Sequence, residues 1–280
     1  MGSDRVRSSR IRRGIGGTVV MLAMLLVAVP AHAQRVRLEI RPQVGDTIYM
    51  RLDQEIEVTG TSPDVPGAPK SMTGSIHVRT RAIPLRRLVS GSLVQAVTDS
   101  MALTPIGGAS VSTPRGALEG ARVTMIVGHD GGMQVLDTGE HDGETPPFFP
   151  PTAPMLPDGP VSVGGSWRRT LDLPIGNGPA GLARVQANFR LDSLGRNGDI
   201  AYITMSGTLS RIGEPDRRGG SQRSTGTLSG RMQLDRRLGW ITDTYLVLNV
   251  QSVITSGEAA RPQAQLQMKV TQRLRAMRGS

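Results

Sequence analysis

The chain has 280 residues, with 33 Lys and Arg against 23 Asp and Glu, 3% aromatic residues and no cysteine. The missing cysteine excludes disulfide bracing, thiol nucleophiles and thiolate metal sites. The scarcity of aromatics argues against nucleic acid, whose single strands are held on aromatic platforms beside clustered basic residues.

The first thirteen residues hold Arg5, Arg7, Arg10, Arg12 and Arg13 against one acid, Asp4, and lead into an apolar run from Thr18 to Val29. Pro30-Ala31-His32-Ala33 follows, with small residues where a signal peptidase would cleave before Gln34. Residues 1–33 therefore read as a signal peptide. The apolar run is shorter than the roughly 20 residues a membrane-crossing helix needs, so no anchor is expected after cleavage. Arg12-Arg13 is followed by Gly14 and Ile15, which suits the general secretory route better than a twin-arginine one. With no cysteine at the cleavage point, a lipid-anchored form is excluded. Cleavage leaves 247 residues carrying 28 basic and 22 acidic side chains. Nearly all the basic ones are arginine, Lys70 and Lys269 being the two lysines, and the surplus implies solubility and attraction to anionic envelope surfaces. The expected location is the periplasm or outside the cell.

Period-two alternation dominates the remainder. Ile48, Met50, Leu52, Ile56 and Val58 form one such set, followed by Ile76 and Val78. Val185, Ala187, Phe189 and Leu191 share a face, as do Ala201, Ile203, Met205 and Leu209, and then Ala264, Leu266, Met268 and Val270. Turn residues supply the joints: His129-Asp-Gly-Gly132, Gly195-Arg-Asn-Gly198 and Asp235-Arg-Arg-Leu-Gly239 each read as a hairpin end. Longer breaks fall at Thr61 to Lys70, Thr145 to Pro160 and Gly213 to Gln222. The pattern predicts an all-β, antiparallel protein of about twelve strands with few short helices, either a curved open barrel or two packed related β-halves. A short internal match supports two halves: Val44-Gly-Asp-Thr-Ile-Tyr-Met-Arg-Leu-Asp53 aligns with Val163-Gly-Gly-Ser-Trp-Arg-Arg-Thr-Leu-Asp172. The expected division is residues 34–145 as the first half, 146–160 as a proline-rich linker and 161–280 as the second half.

The order and spacing of several segments resemble a family of exported bacterial β-proteins known as a domain of unknown function. The carriers are Leu38 to Tyr49, His129 to Val135, Phe148-Phe-Pro150, Val161 to Trp167, Gly226 to Asp235 and Gly239-Trp-Ile241. Many members of such families are lipoproteins, and a chain without the lipid-bearing cysteine departs from them, which implies a soluble form. The resemblance implies export and fold, and transfers no site residues.

The usual catalytic arrangements are not legible. No Gly-x-Ser-x-Gly elbow occurs, and Ser92, Ser100 and Ser229 have no histidine close in sequence. After cleavage three histidines remain. His129 sits in a turn that needs its residues for backbone reasons, and His77 is expected on a wet strand face with Arg79 and Arg81. His141 lies among Asp137, Glu140, Asp142 and Glu144, the candidate ligands for a Ca²⁺ or Zn²⁺ ion, although the spacing departs from an EF-hand. Asp53, Glu55 and Glu57 share one strand face and are expected to pair with Arg79 and Arg81 across a hairpin rather than to act as glycosidase carboxylates. Trp167, Trp240, Phe148 and Phe149 read as structural rings. No cofactor is expected, since no phosphate cradle joins a strand to a helix. The reading that best fits is an exported, non-catalytic envelope protein that binds an apolar or amphipathic ligand or other envelope components. Aliphatic inward faces with Met205, Met232 and Met268 would line the concavity. The alternatives are a structural or protein-interaction module with a dry core, and a cryptic hydrolase or metal-binding protein.

Overall fold

The computed structural model describes residues 35–61, 70–106, 119–137, 154–174, 182–212, 221–255 and 262–279. A compact unit begins at Arg35. The signal segment, most of the proline-rich linker, Phe148 and Phe149 lie outside the described residues.

Thirteen strands follow in order: β1 (Arg35–Val36), β2 (Ile48–Thr61), β3 (Lys70–Arg87), β4 (Gly91–Thr104), β5 (Arg122–Gly128), β6 (Met133–Asp137) and β7 (Val161–Ser162). The second run is β8 (Ser166–Pro174), β9 (Leu182–Gly195), β10 (Ile200–Ile212), β11 (Ser221–Asp235), β12 (Trp240–Thr255) and β13 (Pro262–Arg278). Among the described residues there is no α-helix, and a 3-10 turn at Arg196–Gly198 joins β9 to β10. The three hairpin ends expected from turn residues each join the strands they were expected to join.

Eleven strands form one antiparallel sheet in the order β6-β5-β4-β3-β2-β13-β12-β11-β10-β9-β8, while β1 and β7 pair separately. Every neighbour in the large sheet is a neighbour in sequence except β13 and β2, which pair from Arg278↔Ile48 to Gln265↔Thr61. The two meanders are thus one sheet with a seam. Its edges, β6 and β8, do not pair, so the sheet is not closed into a barrel.

The alternation read from sequence becomes burial. Val185, Ala187, Phe189 and Leu191 on β9 and Ala201, Ile203, Met205 and Leu209 on β10 are all buried, and a single core cluster joins them to Val94, Val123, Met125 and Val127 on the other meander. Two chain segments cover one end of this core. In the first, Ile40 N–H donates to His129 O at 2.9 Å and Arg41 N–H to Gly239 O at 2.9 Å, so it ties the β5–β6 turn to the β11–β12 turn. In the second, Met155 and Leu156 N–H both donate to Asp130 O, and Arg169 donates to Leu156 O. Leu38, Ile40 and Leu156 are buried beneath.

Candidate functional site

The register places a groove of about 490 Å³ on the outward face of β12, β13, β2, β3 and β4. Asp53 on β2 lies opposite His77 on β3 and Arg273 on β13, and Arg273 lies opposite Tyr245 on β12. These side chains share the outward parity with Glu55, Ser75, Thr73, Thr104 and Thr271. His77 Nδ1 is 2.8 Å from Asp53 Oδ1, Arg51 Nε donates to Asp53 at 3.0 Å, and Arg273 meets Asp243 at 3.1 Å. Partial burial of Asp53 disfavours its charge, but the hydrogen bonds and charges of His77 and Arg51 together outweigh that and hold the carboxyl below the usual aspartate value.

A histidine held by a carboxylate is half of a nucleophile-activating set. Among the described residues no hydroxyl hydrogen-bonds to His77, and the β2 and β3 backbone flanking it is engaged in the sheet ladder. Free N–H donors aimed at a developing oxyanion are what acyl transfer requires. The groove holds the ion pairs of Asp53 with His77 and Arg51 and of Arg273 with Asp243. The expected pairing of Glu55 and Glu57 with Arg79 and Arg81 does not occur. The register sets Glu55 against Ser75, Glu57 against Thr73, and Arg79 against Arg51, while Arg81 turns to Asp99 on β4 at 2.7 Å.

The inward face of the seam has a different character. Four rungs cross it: Leu274–Leu52–Val78–Met101, Gln272–Gln54–Ile76–Leu103, Val270–Ile56–Gly74 and Met268–Val58–Met72. Leu52 and Val78 are buried, whereas Ile56, Val58, Ile76, Met101, Leu103, Leu266, Met268 and Val270 are half-buried and Met72 is 42% exposed. On β12, Leu248 and Val250 of the same rungs are buried. The apolar face therefore runs continuously from a buried core into a part-open stretch on β13, β2, β3 and β4. Gln54 and Gln272 stand opposite each other within it, the one uncharged polar pair on that stretch. Aliphatic and thioether side chains with one amide pair suit an apolar or amphipathic molecule.

Of the candidate metal ligands, Asp137 ends β6 as an exposed residue, and Glu140, His141, Asp142 and Glu144 lie outside the described residues. Among the described residues no group of three or more His, Asp or Glu is placed to hold a metal ion. His129 lies in the turn expected for it, beside a small recess lined by Arg37, Glu39 and Asp158. Trp167 stacks on Phe189 with ring centroids 5.6 Å apart, and its indole N–H donates to Met155 O at 2.8 Å, a structural role. Among the described residues no helix is long and apolar enough to cross a membrane. The Asp53–His77 contact was hidden in the sequence because 24 residues separate the pair and the register depends on the whole length of two strands.

No protein-family model matches the chain, and no curated protein does. Among solved structures, the chain is similar to a candidate AttH from Nitrosomonas europaea, at 9% identity over 87% of this chain and 98% of that one, with a TM-score of 0.14. A likeness of that size carries no argument about fold or activity.

Proposed function

We propose that the chain is an exported, non-catalytic envelope protein that takes up an apolar or amphipathic ligand on the inward face of the seam. The observation that carries this reading is the half-covered stretch of Ile56, Val58, Met268 and Val270, continuous with the core and interrupted by the Gln54–Gln272 pair. A face meant only for packing would be covered, since uncovered apolar surface forgoes roughly 25 cal/mol for each Å² left in water. Export is supported by the basic-apolar-small order of residues 1–33 and by the start of the compact unit at Arg35, one residue past the expected cleavage point.

A hydrophobic fluorescent probe and lipid extraction followed by native mass spectrometry test the reading. The expected result is saturable probe binding that falls at least tenfold in Val58→Lys, because the ammonium would stand between Met268 and Met72 on the part-open stretch. Absence of both probe binding and extractable lipid from the folded protein would leave the dry-core interaction module in its place.

A further inference from the structure

We propose that one end of the outward face of β3, β2 and β13, the end at Tyr49 and Met277 and away from Glu55 and Glu57, docks on an anionic lipid bilayer. On that face Arg79, Arg51 and Arg275 stand directly opposite one another across three adjacent strands. Cross-strand neighbours on one face sit about 5 Å apart at Cβ, and like charges so placed oppose pairing. Arg51 is held by Asp53 at 2.9 Å. Arg79 and Arg275 are exposed, and among the described residues neither makes an ion pair, since Asp243, which stands opposite Arg275 on β12, is taken by Arg273 at 3.1 Å. A sheet that folds with three arginines side by side on one rung, two of them outside any ion pair, is arranged to meet negative charge from outside.

The next outward rung supplies the other half of the surface. Met277 lies opposite Tyr49, and Tyr49 opposite Arg81. Met277 is 66% exposed and Tyr49 46%. Gly45 N–H bonds to Pro84 O at 3.0 Å, which brings exposed Val44 and exposed Leu85 to the same end of these strands. Arg278, Arg81 and Arg273 are already paired with Asp46, Asp99 and Asp243, so on these two rungs the unpaired cations are Arg79 and Arg275, while Lys269 lies farther along β13, opposite Glu57.

The occupant follows from the chemistry of the two rungs. Single protruding Tyr, Met, Leu and Val side chains beside cations match a fluid interface, where each apolar tip enters the headgroup layer and each arginine finds a phosphate. A shaped protein partner would call for a pocket between the apolar residues, whereas the groove lies on the far side of the arginine rung, around Asp53 and Glu55. The inference uses the outward face and is independent of any ligand on the inward one.

The test uses the chain beginning at Gln34, so that the apolar run of residues 18–29 cannot bind lipid itself; the compact unit begins at Arg35. Co-sedimentation is measured with vesicles of phosphatidylethanolamine and phosphatidylglycerol and with vesicles of phosphatidylcholine alone. The expected result is binding to the anionic vesicles only, weakened by salt. The Arg79→Gln/Arg275→Gln variant should lower the partition coefficient about 25-fold, roughly fivefold for each arginine. Tyr49→Ser/Met277→Ser should lower it while keeping the salt dependence. Circular dichroism of both variants should match the parent. Absence of vesicle binding, equal binding to both vesicle types, or binding unchanged in the arginine variant would overturn the proposal. So would saturation by inorganic phosphate or by an acidic polypeptide without vesicle binding.

Discussion

Gly239 shows how much one residue can hold in this fold. Its φ of +65° suits glycine, and a Cβ there would land on the Arg41 carbonyl and come within 2.9 Å of Pro42 N. The contact is backbone against backbone, so no side-chain rotation relieves it. Because Gly239 O also accepts the Arg41 N–H, the segment that covers the core end is laid directly on this turn. Gly239→Ala should destabilise the protein by about 3 kcal/mol, combining left-handed strain with overpacking, and a urea midpoint measurement reads it. Asp53 makes a different kind of prediction. Its pKa is lowered in the folded protein, so the stabilisation it supplies is complete above the ordinary value of 3.8 and is lost as pH falls through the lowered one. The partners are about half exposed, which limits the effect to about 1 kcal/mol or less. Asp53→Asn should therefore be less stable than the parent near neutrality and equal to it in strong acid. A difference that persists at low pH would assign the effect to packing instead.

At the scale of the element, legibility followed locality. The turns at His129–Gly132, Gly195–Gly198 and Asp235–Gly239 were readable because Asp, Asn and Gly act on their own backbone: Asp130 Oδ1 accepts Gly132 N–H at 3.0 Å, and Asp235 Oδ1 accepts the N–H of Arg237 and Leu238 at 2.9 Å. Inward residues of β9 and β10 were readable because strict alternation has one solution. Pairing register was not. Arg79 was expected beside the acids of β2, and it faces Arg51 instead, since no short-range signal sets the register of a fourteen-residue strand against an eighteen-residue one. The short sequence match between the two halves has a backbone counterpart. Gly45 and Gly164 have φ of +86° and +83°, and each donates its N–H to a carbonyl of the second strand after it, Pro84 O on β3 and Leu191 O on β9. Asp46 and Gly165 N–H then donate to Gln43 O and Ser162 O. The same turn thus opens β2 and β8.

At the scale of the molecule, the β2–β13 seam decides whether the two meanders behave as two domains. It joins strands that begin and end the described body, which no local pattern announces, and it turns two meanders into one sheet. The division at residues 146–160 marks the sequence, but the core cluster ignores it: Val94, Val123 and Val127 belong with Phe189, Ile203 and Leu234. Two consequences follow for unfolding. Shared burial means that neither half retains its core when the other opens, so heat should melt the body in one transition, with calorimetric and van 't Hoff enthalpies equal. Val270→Pro tests the seam directly. Val270 lies between Leu248 of β12 and Ile56 of β2, and proline there removes a ladder donor in a strand bonded on both sides, at a cost of about 3 kcal/mol or more. If the seam couples the halves, the variant should melt at lower temperature and still in a single step. A second transition appearing in the variant, with one half unchanged from the parent, would mean that the halves are thermodynamic domains and that the sheet is continuous in geometry alone.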